Sequence, residues 1–136
     1  MKCIVKGTVL IIPEGTKKIG FADICNYIDN NLIEEIILPS TIEIIEDNTF
    51  FDFIGIKKIN IPRSVVRIGS QAFWGLDQIE ELIIPNTVKR VEKHAFCNIS
   101  GCKLIILGEH QCIPAGWDAE FAVNVKDVCF VSNYSH

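Results

Sequence analysis

Three prolines recur at one interval: Pro39, Pro62 and Pro85 are each 23 residues apart. Aligned on them, the chain falls into columns. Six residues before each proline lie Ile33, Ile56 and Ile79; three before, Ile36, Ile59 and Leu82; one before, Leu38, Ile61 and Ile84. Three after come Ile42, Val65 and Val88, six after Ile45, Ile68 and Val91, and eleven after Phe50, Phe73 and Phe96. A fixed period of this length with every column apolar marks a stacked-repeat architecture, in which one copy buries little by itself and neighbouring copies share a continuous core. Pro13 opens an earlier copy through Leu10, Ile12, Ile19, Gly20, Ala22 and Ile24, lengthened by three residues near Asp29, Asn30 and Asn31. One further step of 23 lands on Gly108, preceded by Ile105 and Leu107, and beyond it the pattern ends.

The pattern within a copy predicts its local structure. Glu35-Ile36-Ile37-Leu38-Pro39 alternates, so Ile36 and Leu38 face inward and Ile37 outward in a short strand, closed by a proline that cannot donate to a ladder. Ser40-Thr41-Ile42-Glu43-Ile44-Ile45 predicts a second extended run. Asp47-Asn48-Thr49-Phe50 predicts a cap and one helical turn that drops a phenylalanine into the core. Stacking then sets Phe50, Phe73 and Phe96 in a ladder behind a parallel sheet, with right-handed coils as parallel connections nearly always have. The divisions are a single domain over 1–136: a leading strand at 1–8, repeats at 9–31, 32–54, 55–77 and 78–100, and a last coil with its cap at 101–136.

Leu82-Ile83-Ile84-Pro85-Asn86-Thr87-Val88 followed by Ala95-Phe96 is similar to the BspA-like, or treponemal-type, leucine-rich repeat. That resemblance implies a β-rich α/β solenoid: a right-handed coil with a parallel sheet and short helical turns. It also implies an N-terminal hairpin, in the segment running from Cys3 through Gly7 to Pro13. A closing cap is implied over Ile113-Pro114-Ala115-Gly116-Trp117-Asp118 and a strand from Val128. Glu46 and Glu92 depart from the family pattern, standing where Gly20 and Gly69 show the preferred glycine.

With 49% hydrophobic and 22% charged residues the chain has the balance of a domain with a real core. Its net charge of −4 leaves no basic footprint for nucleic acid or an anionic membrane. The apolar run at the start, Val9-Leu10-Ile11-Ile12, is too short for a signal-peptide core, and no segment approaches the ~20 apolar residues that span a bilayer. Six scattered cysteines without CxxC pairs read as reduced thiols. A cytoplasmic protein is therefore expected, or a cell-surface or secreted one if the chain is a domain of a larger parent.

The outward positions of the strands form the candidate site. Two residues before each proline lie Ile11, Ile37, Asn60 and Ile83, with Ile106 continuing the row before Gly108. An exposed apolar stripe of this kind fits a partner or a second copy of the chain. Beside it Glu35, Lys58 and Glu81 alternate in sign, as do Glu34, Lys57 and Glu80, with Lys103 beyond. Across strands ~4.8 Å apart such alternation gives ion pairs and penalises a slipped register, and it leaves a polar rim beside the stripe.

Other chemistries find less. His94, Cys97, Cys102, His110 and Cys112 contain the ligand types of zinc, but Cys97 and Cys102 fall in apolar columns. His136 stands at the very end and completes no nucleophile–base pair, and the glycines form no phosphate loop. Lys17, Lys18, Arg67, Lys89, Arg90 and Lys93 line another edge, interleaved with Glu43, Glu46 and Glu92, which reads as a solvated face. The expectation is a non-enzymatic module with no catalytic, cofactor or metal site that binds a protein or peptide through its strand sheet. Two alternatives stand beside it: an adhesin fragment of a secreted protein, and a self-assembling structural unit.

Overall fold

The computed structural model describes residues 2–27, 32–108 and 112–132. Almost all of its regular structure is strand, short except in the last two: β1 (Ile4–Lys6), β2 (Val9–Ile11), β3 (Lys18–Ile19), the one-turn helix α1 (Phe21–Ile24), β4 (Glu35–Ile37), β5 (Ile44–Ile45), β6 (Lys58–Ile59), β7 (Arg67–Ile68), β8 (Phe73–Trp74), β9 (Glu81–Ile84), β10 (Arg90–Val91), β11 (Phe96–Leu107) and β12 (Ala122–Val131). Each coil contributes to three faces. The strand face holds β2, β4 and β6 in one parallel ladder, with β1 folded back antiparallel on β2, and β9 with the later parts of β11 and β12 in another. On the second face β3, β5, β7 and β10 pair in parallel, and Val91 bridges to Trp117. The third face carries α1, the turn at 47–52, β8 and the first parts of β11 and β12.

The prolines act at the first corner. Each carbonyl accepts from the amide three residues on, Pro39 from Ile42 and Pro85 from Val88 at 3.2 Å, Pro62 from Val65 at 3.1 Å. Proline has no amide to give, so it ends the ladder where the chain must turn.

At the next corners the expected helical turn does not form, except as α1 in the first coil. The backbone is left-handed at Asn48, Gln71 and His94 (φ 59°, 57° and 59°) and again four residues later at Asp52, Gly75 and Asn98 (φ 57°, 76° and 55°). Between these corners the chain runs like a strand: Asn48, Phe50 and Asp52 donate their amides to the carbonyls of Ser70, Ala72 and Trp74 in the next coil, at 2.9, 2.9 and 2.8 Å. Asx residues tolerate this conformation, so Asp47-Asn48 makes a corner rather than a cap. In α1 the backbone bonds stay internal, and the third face ends there without an open strand edge.

The Phe column is the centre of the core. Phe50, Phe73 and Phe96 are all fully buried, their ring centroids 5.3 Å and 5.0 Å apart, and Phe121 meets Phe96 edge-on at 6.5 Å. Ile24 holds the same place in the first coil and is also buried. A second column outside it stacks Phe51 on Trp74 at 5.4 Å. Phe53, Leu76 and Ile99, again 23 residues apart and all buried, form a column that the proline alignment did not single out.

The ends of the chain use different spacings. Glu81 pairs with Lys103 and Leu82 with Leu104, a step of 22, although Phe73 still pairs with Phe96 at 23, so one residue is lost between Cys97 and Lys103. The closing segment is itself a coil, turned by Pro114, whose carbonyl accepts from Trp117 at 3.0 Å. Trp117 lies three residues after that proline, as Val88 does in the coil before, but its backbone bridges Val91; its Nε1 donates to the Val88 carbonyl at 3.0 Å. The lengthening near Asp29, Asn30 and Asn31 lies outside the described residues.

Glycine is needed at position 69, where a Cβ would sit 2.5 Å from the Asp47 amide nitrogen. At Glu92 the same column carries a carboxylate that Arg67 and Arg90 each approach to 3.3 Å. Phe73→Ala is expected to cost ~3–5 kcal/mol and Gly69→Ala ~1–3 kcal/mol, while Phe21→Ala, at a site 43% exposed, costs under ~0.5 kcal/mol. Denaturant titration checks the order; equal midpoints for Phe73→Ala and Phe21→Ala would remove the Phe column from the core.

Candidate interaction surface

Strand alternation builds the surface. Leu10, Ile36, Ile59, Leu82 and Leu104 form the inward row, none more than 5% exposed. On either side of it two rows look outward. One runs through Ile4, Ile11 and Ile37, then Asn60, then Ile83, Ile105 and Cys129. The other runs Lys6, Val9, Glu35, Lys58, and onward Glu81, Lys103, Asp127.

Most of the expected stripe lies where alternation put it. Ile37 is 44% exposed, Ile11 and Ile83 are half-buried, and Asn60 is exposed. Ile106 does not belong to it: it pairs with Ile84 and is 2% exposed, a core residue. The 22-residue step moves every side chain of that strand by one position, and a one-residue slip exchanges the two faces. Ile105 takes the outward row instead, itself 8% exposed. Ile4, 48% exposed, joins the stripe through its pairing with Ile11, a position that counting back across the Gly7 turn would have found. A shallow depression of about 280 Å³ opens beside the stripe, lined by Glu35, Ile37, Ser40, Asn60 and Pro62 among others.

The charged rim is paired as its alternation requires. Lys57 Nζ lies 2.9 Å from Glu34 Oε2, and Lys58 Nζ 3.9 Å from Glu35 Oε2. The hydrogen bond from Lys57, with its charge, holds the Glu34 carboxyl below the usual range. That pairing stabilises the fold above the ordinary carboxylate range and is lost as pH falls through the depressed value. The basic edge is compensated: Arg67 lies 3.3 Å from Glu92 and 3.7 Å from Asp47, Lys18 4.0 Å from Glu46, and Lys93 3.6 Å from Glu120.

The zinc-type residues do not converge. Cys97 and Cys102 are buried, and burial pushes both thiols up, Cys102 to about 12. Cys112 is exposed, and His94 Nε2 lies 3.8 Å from Glu120 Oε2. His110 and His136 lie outside the described residues. Among the described residues no three His, Cys, Asp or Glu side chains are grouped to hold a metal ion. Nor, among them, is any helix long and apolar enough to cross a membrane.

A family model described as a BspA type leucine rich repeat region, in six copies, matches residues 24–117. No curated protein matches the chain. Among solved structures the pneumococcal vaccine antigen PcpA is similar over 88% of this chain, with a TM-score of 0.69 and 23% identity, a likeness of fold. The chain spans 30% of the length of that protein.

Two outcomes follow from the placement of side chains. Ile37→Lys should leave the melting transition in place, whereas Ile106→Lys should unfold the chain by burying an unpaired charge. Alkylation of the native protein should label Cys112 rapidly and reach Cys97 and Cys102 only on unfolding. Fast native labelling of Cys102 would contradict its burial.

Proposed function

The chain belongs to the BspA-type leucine-rich repeat family, and from that premise we propose that it is a non-enzymatic recognition module that holds a protein or peptide against its strand face. The observation that carries this reading is the outward row of Ile4, Ile11, Ile37 and Ile83 running beside the Glu35, Lys58, Glu81 and Lys103 row. An apolar centre with a charged border is the anatomy of a protein interface. The backbone beneath is held in two ladders, one through β2, β4 and β6 and the other through β9, β11 and β12, so little ordering is lost within each when a partner docks. Apolar side chains of the partner would bury against Ile37 and Ile83 while its charged groups meet the rim. No step of this function needs a cofactor.

A second reading is supported by the share of PcpA that the chain spans. It makes this solenoid one segment of a larger adhesive surface protein, which would place it outside the cell rather than in the cytoplasm. The sequence of the parent gene on either side separates the two.

The strand face is tested by capturing partners with the intact chain and with Ile37→Lys/Ile83→Lys, using Lys89→Glu/Arg90→Glu on the second face as a control. The strand-face variant should lose its partners by at least tenfold with an unchanged melt, and the control should retain them. Retention by the strand-face variant and loss by the control would move the site to the basic edge.

A further inference from the structure

Each end of the strand face finishes in a strand whose outer edge meets no other strand among the described residues: β1 at one end and β12 at the other. These two edges match each other row for row. Lys6 lies in the row of Val9, Glu35, Lys58, Glu81, Lys103 and Asp127; Val5 lies in the row of Leu10 and, at the far end, Leu104 and Val128; Ile4 lies in the row of Ile11, Ile83, Ile105 and Cys129. We propose that copies of this chain join head to tail, with β12 of one pairing with β1 of the next so that Asp127 meets Lys6, Val128 meets Val5 and Cys129 meets Ile4.

Three observations carry this. The first is charge: Glu35, Lys58, Glu81, Lys103 and Asp127 alternate along the row, and the residue that continues the alternation beyond Asp127 is a cation, which Lys6 of the next copy supplies. The second is unfinished burial. Val5 shares the inward row with Leu10 yet is 47% exposed, and Val128 and Phe130 are packed against the core but only half-buried, as is Cys3 at the other end. Joining the ends covers both sets at once. The third is direction: β1 runs antiparallel to β2, whereas the other strands repeat the direction of β2 from coil to coil, so the junction is an antiparallel pair and needs no reversal of the stack.

A two-fold pairing of β12 with itself does less. In the register that sets Val128 against Phe130 of the second copy, Asp127 faces Val131 and gains no cation. Lysine on an edge strand usually blocks sheet growth; here it blocks all edges except one that presents an acid in the same row. The junction is heterologous and does not close on itself, so assembly extends with concentration. It rests on the two end strands and is independent of the strand-face reading above.

The test is sedimentation velocity of the full chain over a broad concentration range, with melts of every variant. The wild type should grow beyond a dimer as concentration rises. Lys6→Glu and Asp127→Lys should each remain monomeric with the wild-type melt. Mixed in equal amounts they should assemble again, because Lys6 of one variant meets the unaltered Asp127 of the other and the two reversed positions also form an opposite-charge pair. If Asp127→Lys is destabilised beside Lys103, Lys6→Glu and Lys6→Arg carry the comparison, assembly being lost in the first and kept in the second. A wild type that stays monomeric, a species that stops at the dimer, or a variant mixture that fails to recover would each overturn the head-to-tail junction.

Discussion

No coil of this protein has an interior of its own. The ring of Phe73 is buried because Phe50 lies on one side of it and Phe96 on the other, at 5.3 and 5.0 Å; removed from its neighbours, a single coil would expose most of what it now buries. Stability in such a stack is a sum of contacts between adjacent coils, and the remaining features of the chain keep those contacts in register. Ladder bonds hold the coils at a constant spacing, unbroken through β3, β5, β7 and β10 on the second face and in two separate ladders on the strand face. The prolines and the paired left-handed corners return the chain to the same place every 23 residues.

That return also makes the surface. Once inward residues are stacked in columns, outward ones must stack too, so a side chain chosen on one strand lands beside its counterpart on the next. An isoleucine stripe and a row of alternating charge follow from the core without further folding information. The charged row strengthens the register, because a slip of one coil would set like charges opposite each other. The surface offered to a partner is therefore rigid and repetitive, broken in the middle by Asn60 and narrowed towards the far end, where Ile105 is nearly covered.

A stack has ends, and they are the places where its logic is incomplete. Trp117 and Phe121 fill the last layer of the core, but β12 leaves Val128 and Phe130 half-covered and β1 leaves Val5 in the open. On the third face the problem is avoided at one end by α1, whose backbone bonds are internal. On the strand face two edges remain whose charges and apolar rows are complementary, and that complementarity is a property of the pair of ends rather than of either one.

The sequence alone determined the architecture and the direction in which most side chains point, because a period of 23 and an alternation of two are both written directly in the order of residues. From them the Phe column, the outward exposure of Ile37 and the pairing of Lys57 with Glu34 were legible. Where the period changes, spacing stops carrying information. A single residue lost between Cys97 and Lys103 turns Ile106 inward, and only the ladder between β9 and β11 shows where that loss falls. The corner at Asn48 could not be told from a helix cap, since Asx residues favour both and the choice belongs to the neighbouring coil that accepts the backbone hydrogen bonds. Trp117 follows its proline by three residues, as Val88 does, yet its backbone pairs with Val91, a shift that no alignment of columns reveals. These were decided by tertiary structure for one reason: each depends on what lies across the gap to the next coil, and the distance along the chain to that contact is fixed only by the fold.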